Sequence, residues 1–152
     1  MLYLLFALLV LLPLVLAGGG LLLNRVPLVD PPGLGTRLTT YLTTNLAETR
    51  PDHPFPELRE RSFSVPAAQL YPRVLKAVPS LGWRLVREDS QARRLDAVVE
   101  TPLLRFRDDV QIEVRPAGAQ QSQLSVRSAS RIGRGDFGAN TRHVLDLYRA
   151  LE

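Results

Sequence analysis

From Leu2 to Leu23 the chain carries no charged residue. At a rise of about 1.5 Å per residue such a run spans roughly 33 Å as a helix, enough to cross a bilayer core. Residues 1–25 are therefore expected to form a transmembrane helix. Pro13 and Gly18 to Gly20 are compatible with that, since membrane helices tolerate both residue types. A cleaved signal segment is the competing expectation, because Val15-Leu16-Ala17 followed by Gly18 has the small-residue spacing of a cleavage site. No basic residue precedes the run and Leu21 to Leu23 extend it, which favours an uncleaved single-pass anchor. Arg25 and Arg37 after the run favour a cytoplasmic remainder, whereas a signal-like beginning favours export.

The pattern then changes twice. Pro27, Pro31 and Pro32 open a stretch over 26–62 that reads as a proline-rich tether. Within it Leu34, Leu38, Tyr41, Leu42 and Leu46 lie at helical spacing, predicting a short amphipathic helix. That helix would lie at the membrane interface or pack on the domain. Pro51, Pro54 and Pro56 end it.

From residue 63 to 152 the periodicities of two and of 3.6 alternate. Phe63 to Val65 predicts a short strand. Leu70, Val74, Val78 and Leu81 form one stripe of a helix that Pro79 and Gly82 close. Trp83 to Glu88 and Arg94 to Thr101 predict strands joined by a polar turn. Over Phe106 to Pro116, Val110, Ile112 and Val114 alternate with Gln111, Glu113 and Arg115. Leu124, Val126 and Ser128 continue as a last strand. Gly133 and Gly135 then break it, and Asp136 stands where the N-cap of a final helix belongs. In that helix Phe137, Thr141, Val144, Leu145, Tyr148 and Leu151 mark the inner face, with Arg142, His143, Asp146 and Arg149 opposite. Short turns between the last strands imply an antiparallel meander. The expected fold class is thus α+β: a two-layer domain, a four- to five-stranded antiparallel meander covered by two helices, behind an N-terminal transmembrane helix.

Composition adds constraints. The formal net charge is +4, and 18 arginines stand against one lysine. Such a balance fits an anionic membrane surface, nucleic acid, or plain arginine bias. The Tyr and Phe residues fall mostly on predicted core faces, so an aromatic and basic nucleic-acid surface is not expected. With no cysteine there is no disulfide, thiolate nucleophile or cysteine metal site. Neither His53 nor His143 has a carboxylate at metal-ligand spacing, both are expected in solvent, and no metal or cofactor is expected.

Candidate chemistry gathers between Val126 and Val144. Arg127, Arg131, Arg134 and Arg142 surround the predicted helix start. Guanidinium forks and free N–H groups there would take phosphate or carboxylate, with Ser130, Asp136 and Asn140 beside them. A capping Asp136 competes for the same helix end. The alternative is an internal polar network in which Asp136 and Asn140 hold Arg131 and stabilise the turn. Asp108 and Asp109 are neighbours in a strand and so face opposite ways. One of them is expected to pair with Arg127 or Arg131, or else to act as a general base. The Gly133-x-Gly135-x-x-Gly138 spacing follows a strand and opens a helix, but no βαβ crossover completes a dinucleotide fold, so it reads as a turn. No Gly-x-Ser-x-Gly elbow is present.

Taken together, Leu81-Gly82-Trp83, Phe106-Arg107-Asp108-Asp109-Val110, Arg127-Ser128-Ala129-Ser130-Arg131-Ile132-Gly133, Asp136-Phe137-Gly138-Ala139-Asn140 and Arg142 resemble the domain-of-unknown-function family 1499. The resemblance covers most of the chain after Phe63. It implies a small α+β domain, frequently behind a signal, lipid anchor or membrane helix, and no established activity. Many members share a cysteine-containing segment before the first strand; here Pro51 to Pro56 holds none. The function expected is that of a membrane-anchored cell-envelope protein, a non-catalytic domain binding an envelope partner or an anionic ligand, with membrane lipid met through the N-terminal helix. Two alternatives stand beside it. One is a small hydrolase-like enzyme using Asp108 or Asp109, which requires a deep pocket at the last strand–helix turn. The other is a purely structural domain.

Overall fold

A computed structural model describes residues 2–101 and 105–152, apart from the side chains of residues 2–8 and 10. Helices α1 (Leu2–Asn24) and α2 (Leu34–Thr43) come first, then strand β1 (Leu46–Glu48), a 3-10 turn at Pro56–Leu58 and strand β2 (Arg61–Phe63). Helix α3 (Ala67–Ser80) follows. Strands β3 (Arg84–Asp89), β4 (Arg94–Glu100), β5 (Arg107–Gly118) and β6 (Gln121–Ser130) lead to helix α4 (Ala139–Leu151).

The sheet is antiparallel, in the order β1-β6-β5-β4-β3, with β2 also on β6. Strands β3 to β6 form the expected meander. The other edge is one strand broken in two, β1 lying along Arg127 to Ala129 and β2 along Ser122 to Leu124. Six strands therefore form where four or five were expected, because three-residue strands such as Leu46–Glu48 are too short to show a period.

Alternation sorts the long strands as expected. Val110, Ile112 and Val114 of β5 and Leu124 and Val126 of β6 are buried against Leu70, Val74 and Val78 of α3 and Val144, Leu147 and Tyr148 of α4. Each such side chain contributes about 1.5–3 kcal/mol through burial. Among the described residues no helix covers the opposite face, which is mostly charged and polar, with Val86, Val98 and Ala129 toward one end.

Residues 26–62 are not a free tether. Helix α2 packs on the domain through Arg37 and Tyr41, 0% and 1% exposed, whereas its Leu34 and Leu42 are 48% and 41% exposed; Leu46, 40% exposed, lies beyond it in β1. Tyr41 and Leu38 of the expected stripe thus face the domain while Leu34 and Leu42 do not, because the buried face is turned toward Arg37, which is fully partnered. Its Nη1 and Nη2 donate to Glu57 Oε1 (2.5 Å) and Oε2 (3.0 Å). Nε, Nη1 and Nη2 also reach the carbonyls of Asp30, Pro27 and Pro31, and Nη1 the Tyr41 hydroxyl. The guanidinium lies 4.4 Å from the centre of the Phe55 ring. Burial alone would weaken the charge, but Glu57 outweighs it and holds the Arg37 pKa above its ordinary value.

The end of α1 is seated on the turn before α4. A Cβ at Gly20 would come within 2.9 Å of Phe137 Cβ, and one at Gly138 within 2.8 Å of Val26, so both contacts need glycine. Asn24 Nδ2 donates to the Phe137 carbonyl at 2.9 Å. Among the residues whose side chains are described, no helix is long and apolar enough to cross a membrane. The span expected from Leu2 to Leu23 lies partly outside those residues.

Candidate functional site

The glycine turn and α4 start as the sequence pattern suggests, with one more bend. Phe137 and Gly138 both take left-handed backbone, φ 53° and 82°, and α4 starts only at Ala139. Gly138, not Asp136, therefore stands at the N-cap, but the Asp136 carboxylate reaches the same helix end from two residues before it. Its Oδ1 accepts from the Gly138 N–H (2.8 Å), and its Oδ2 from the Asn140 N–H (3.1 Å) and from Asn140 Nδ2 (2.6 Å). Burial pushes the Asp136 carboxyl above its ordinary pKa, against the pull of these donors. The helix end that an anion would need is thus already occupied by a carboxylate.

Asn140 is fully buried and organises what lies beneath. Its Nδ2 also reaches the Asn45 carbonyl and Ser130 Oγ, both at 2.9 Å, which leaves Oδ1 to accept from Ser128 Oγ at 2.6 Å. Ser128 has a single proton and gives it to Asn140. The 3.1 Å contact between Ser128 Oγ and His143 Nδ1 therefore requires Nδ1 to donate. His143 Nε2 is then the acceptor, 3.8 Å from Asp108 Oδ2, an oxygen without a hydrogen-bond partner among the described residues. The Trp83 ring packs edge-on against the imidazole, with centroids 5.8 Å apart. Burial holds the His143 pKa below its ordinary value, although the Asp108 charge opposes this.

Ser128, His143 and Asp108 are the residue types of an acyl-transfer triad, but their arrangement is not one. A nucleophile must reach substrate, and Ser128 is 0% exposed with its proton committed to Asn140. Asp108 is 1% exposed, so it does not open to solvent as a general base of the hydrolase reading would need to.

The arginines do not converge on the helix end. Arg131 leaves the turn for the outer sheet face, where Nε and Nη2 grip the Asp109 carboxylate at 2.7–3.1 Å. Of the two aspartates, Asp109 is thus the one paired with arginine, and Asp108 and Asp109 do lie on opposite faces. The network expected at Asp136 and Asn140 forms, but without Arg131. Arg142 pairs with Asp146 one turn along α4 at 2.8 Å. Arg134 is exposed in the turn. Arg127 also stands on the outer face, opposite Glu48 and Gln111 in the sheet register. There a concavity of about 420 Å³ is lined by carboxylates at Glu48, Asp89, Asp96 and Glu113 and guanidinium groups at Arg87, Arg94 and Arg127. A shallower one beside it holds Asp109, Arg127, Ser130 and Arg131.

Two expectations about histidine need correction. His143 is buried, because the inner face of α4 is wide enough to take positions 140, 143, 144, 147 and 148 together. His53 is half-buried, its Nδ1 accepting from the Phe55 N–H at 3.0 Å. The helical wheel around Val144 could have flagged His143. Nothing local marks Ser128, Asn45 or the Arg37–Glu57 pair, which meet only through tertiary contact. Among the described residues no group of three or more potential metal ligands occurs.

Comparison with known proteins gives a family and a distant likeness. A family model described as "Protein of unknown function (DUF1499)" matches residues 34–151. No curated protein matches the chain. A solution NMR structure from Thermobifida fusca is similar with 13% identity and a TM-score of 0.47, over 67% of this chain and 83% of that one.

Proposed function

The chain belongs to the DUF1499 family of proteins of unknown function, and on that footing we propose that it is a membrane-anchored, non-catalytic cell-envelope domain that binds a protein partner through the uncovered face of its sheet. The observation that carries the anchor is the surface of α1. Leu9, Leu14 and Val15 are 72%, 63% and 66% exposed on a 23-residue helix without a charge, and among the described side chains the first that the domain buries is Leu21. So much apolar surface on one helix needs a cover, and a bilayer core is of matching length. The partner reading rests on the charges of the outer face. Four carboxylates and three guanidinium groups around the larger concavity nearly balance, which suits a mixed-charge protein surface better than a simple anion.

Alkaline carbonate extraction of membranes, with the intact mass of the protein, tests the anchor. The expected result is retention in the pellet with the leader still attached; release into the supernatant, or a mature chain beginning at Gly18, overturns it. Photo-cross-linking from Gln111, in the wild type and in Arg94→Glu, tests the face. A discrete adduct lost in the variant supports the partner reading, and adducts indifferent to the charge reversal refute it.

A further inference from the structure

We propose that the turn Ile132-Gly133-Arg134-Gly135 is a second membrane contact, in which Ile132 enters the interfacial layer while Arg134 and Arg25 take the phosphates of an anionic bilayer. The inference rests on the reading of α1 as a membrane anchor.

Position is the first argument. Phe137 is the residue on which Gly20 is seated and to which Asn24 donates. It lies three positions after Arg134, a reach of at most about 10 Å. The turn therefore stands beside the last turns of α1, where the exposed apolar part of that helix gives way to the domain.

Rigidity is the second. Asn45 Nδ2 donates to the Gly133 carbonyl at 2.8 Å, and the N–H groups of Asp136 and Phe137 donate to the carbonyls of Thr44 and Tyr41 at 3.1 and 2.9 Å. Gly135 lies so close to the end of α2 that a Cβ there would come within 2.3 Å of the Leu42 carbonyl oxygen. A turn held in this way cannot fold Ile132 back into the core, and Ile132 stays 58% exposed. Leu42 and Leu46, on the segment that holds the turn, are likewise 41% and 40% exposed.

Charge is the third. Nine of the described arginines have a carboxylate partner, Arg131 beside the turn and Arg142 in α4 among them. Arg134 and Arg25 have none among the described residues. An exposed aliphatic side chain on a turn that carries an unpaired guanidinium group, next to the end of an apolar helix followed by another, has the chemistry of an interfacial anchor.

The chain has no cysteine, so single-cysteine labelling of the full-length protein is clean. An environment-sensitive NBD fluorophore would be placed through Leu14→Cys, Ile132→Cys or Ala119→Cys. Ala119 lies at the hairpin end of β6, about 30 Å from Ser130 by strand rise. The protein would be reconstituted in vesicles of phosphatidylcholine with phosphatidylglycerol, with and without a doxyl-lipid quencher. The expected result is quenching at positions 14 and 132 and none at 119. Arg134→Glu, or vesicles of phosphatidylcholine alone, should reduce quenching at 132 several-fold and leave position 14 unchanged. Quenching at 14 without quenching at 132 would overturn the contact while the anchor stands. Absence of quenching at 14 would remove the anchor and the contact with it. Quenching at 132 indifferent to Arg134→Glu would refute the phosphate contact.

Discussion

Arg37→Met removes the charge that joins the leader segment to the domain while keeping most of the apolar stem. It strands Glu57, whose side chain is only 10% exposed, without its partner. Removing one member of a buried ion pair costs about 3–5 kcal/mol, chiefly because the other charge is left uncompensated. The carbonyls of Asp30 and Pro31 lose donors too, but these residues are exposed, so water replaces much of the loss. The total is therefore expected to stay within about 3–5 kcal/mol, a fall in Tm of roughly 10 °C or more for a chain of this size. Arg37→Lys should rescue it only in part, because a single ammonium cannot serve the two Glu57 oxygens and three carbonyls together. Trp83, the one tryptophan, is buried against His143 and reports on the core during urea unfolding of the full chain in detergent. In a cycle with Glu57→Gln, the double variant should be clearly more stable than the sum of the single losses predicts. A loss below about 1 kcal/mol for Arg37→Met, or strict additivity in the cycle, would refute the account of Arg37 as a buried, fully partnered cation.

Other outcomes follow from the same geometry. Asn140→Ala strands Ser128, Ser130 and Asp136 at once and should cost about 3 kcal/mol or more in the same urea assay; a loss under 1 kcal/mol would show that water fills the gap. Burial holds folded His143 below its ordinary pKa of about 6.5, so the unfolded chain binds the proton more readily. Stability is then full above that pH and falls as the pH drops below it. Urea midpoints between pH 8 and 5 should show this decline in the wild type and a weaker one in His143→Gln; identical profiles would rule His143 out as the cause. Gly20→Leu drives a side chain into Phe137 and should lift α1 off the domain without unfolding it. Spin labels at positions 14 and 119 should then give a broader distance distribution while Trp83 emission holds, and an unchanged distribution would show that Gly20 is not the seat. Asp109→Asn removes an exposed ion pair and should leave the urea midpoint unchanged; a measurable shift would mean that the pair organises the sheet.

Periodicity alone carried the meander, the inner faces of β5 and β6 and the existence of α3 and α4, because regular elements longer than about two turns or five residues write their burial into the residue pattern. It also placed Asp108 and Asp109 on opposite faces and the Asp136 carboxylate at the start of α4, although Gly138 takes the N-cap position itself. Tertiary structure decided the rest. Arg37 borders the stripe of Leu34, Leu38 and Tyr41 on a helical wheel, but its charge reads as solvent-facing, and only Glu57, 20 residues away, makes its burial tolerable. Ser128 and His143 meet because α4 crosses β6, and the edge strand is split because two three-residue segments find the same neighbour. Arg131 follows the strand pleat to Asp109 instead of joining the helix end. Partners distant in sequence decide where a polar side chain goes, since a buried charge or hydroxyl is stable only where another part of the chain supplies its hydrogen bonds.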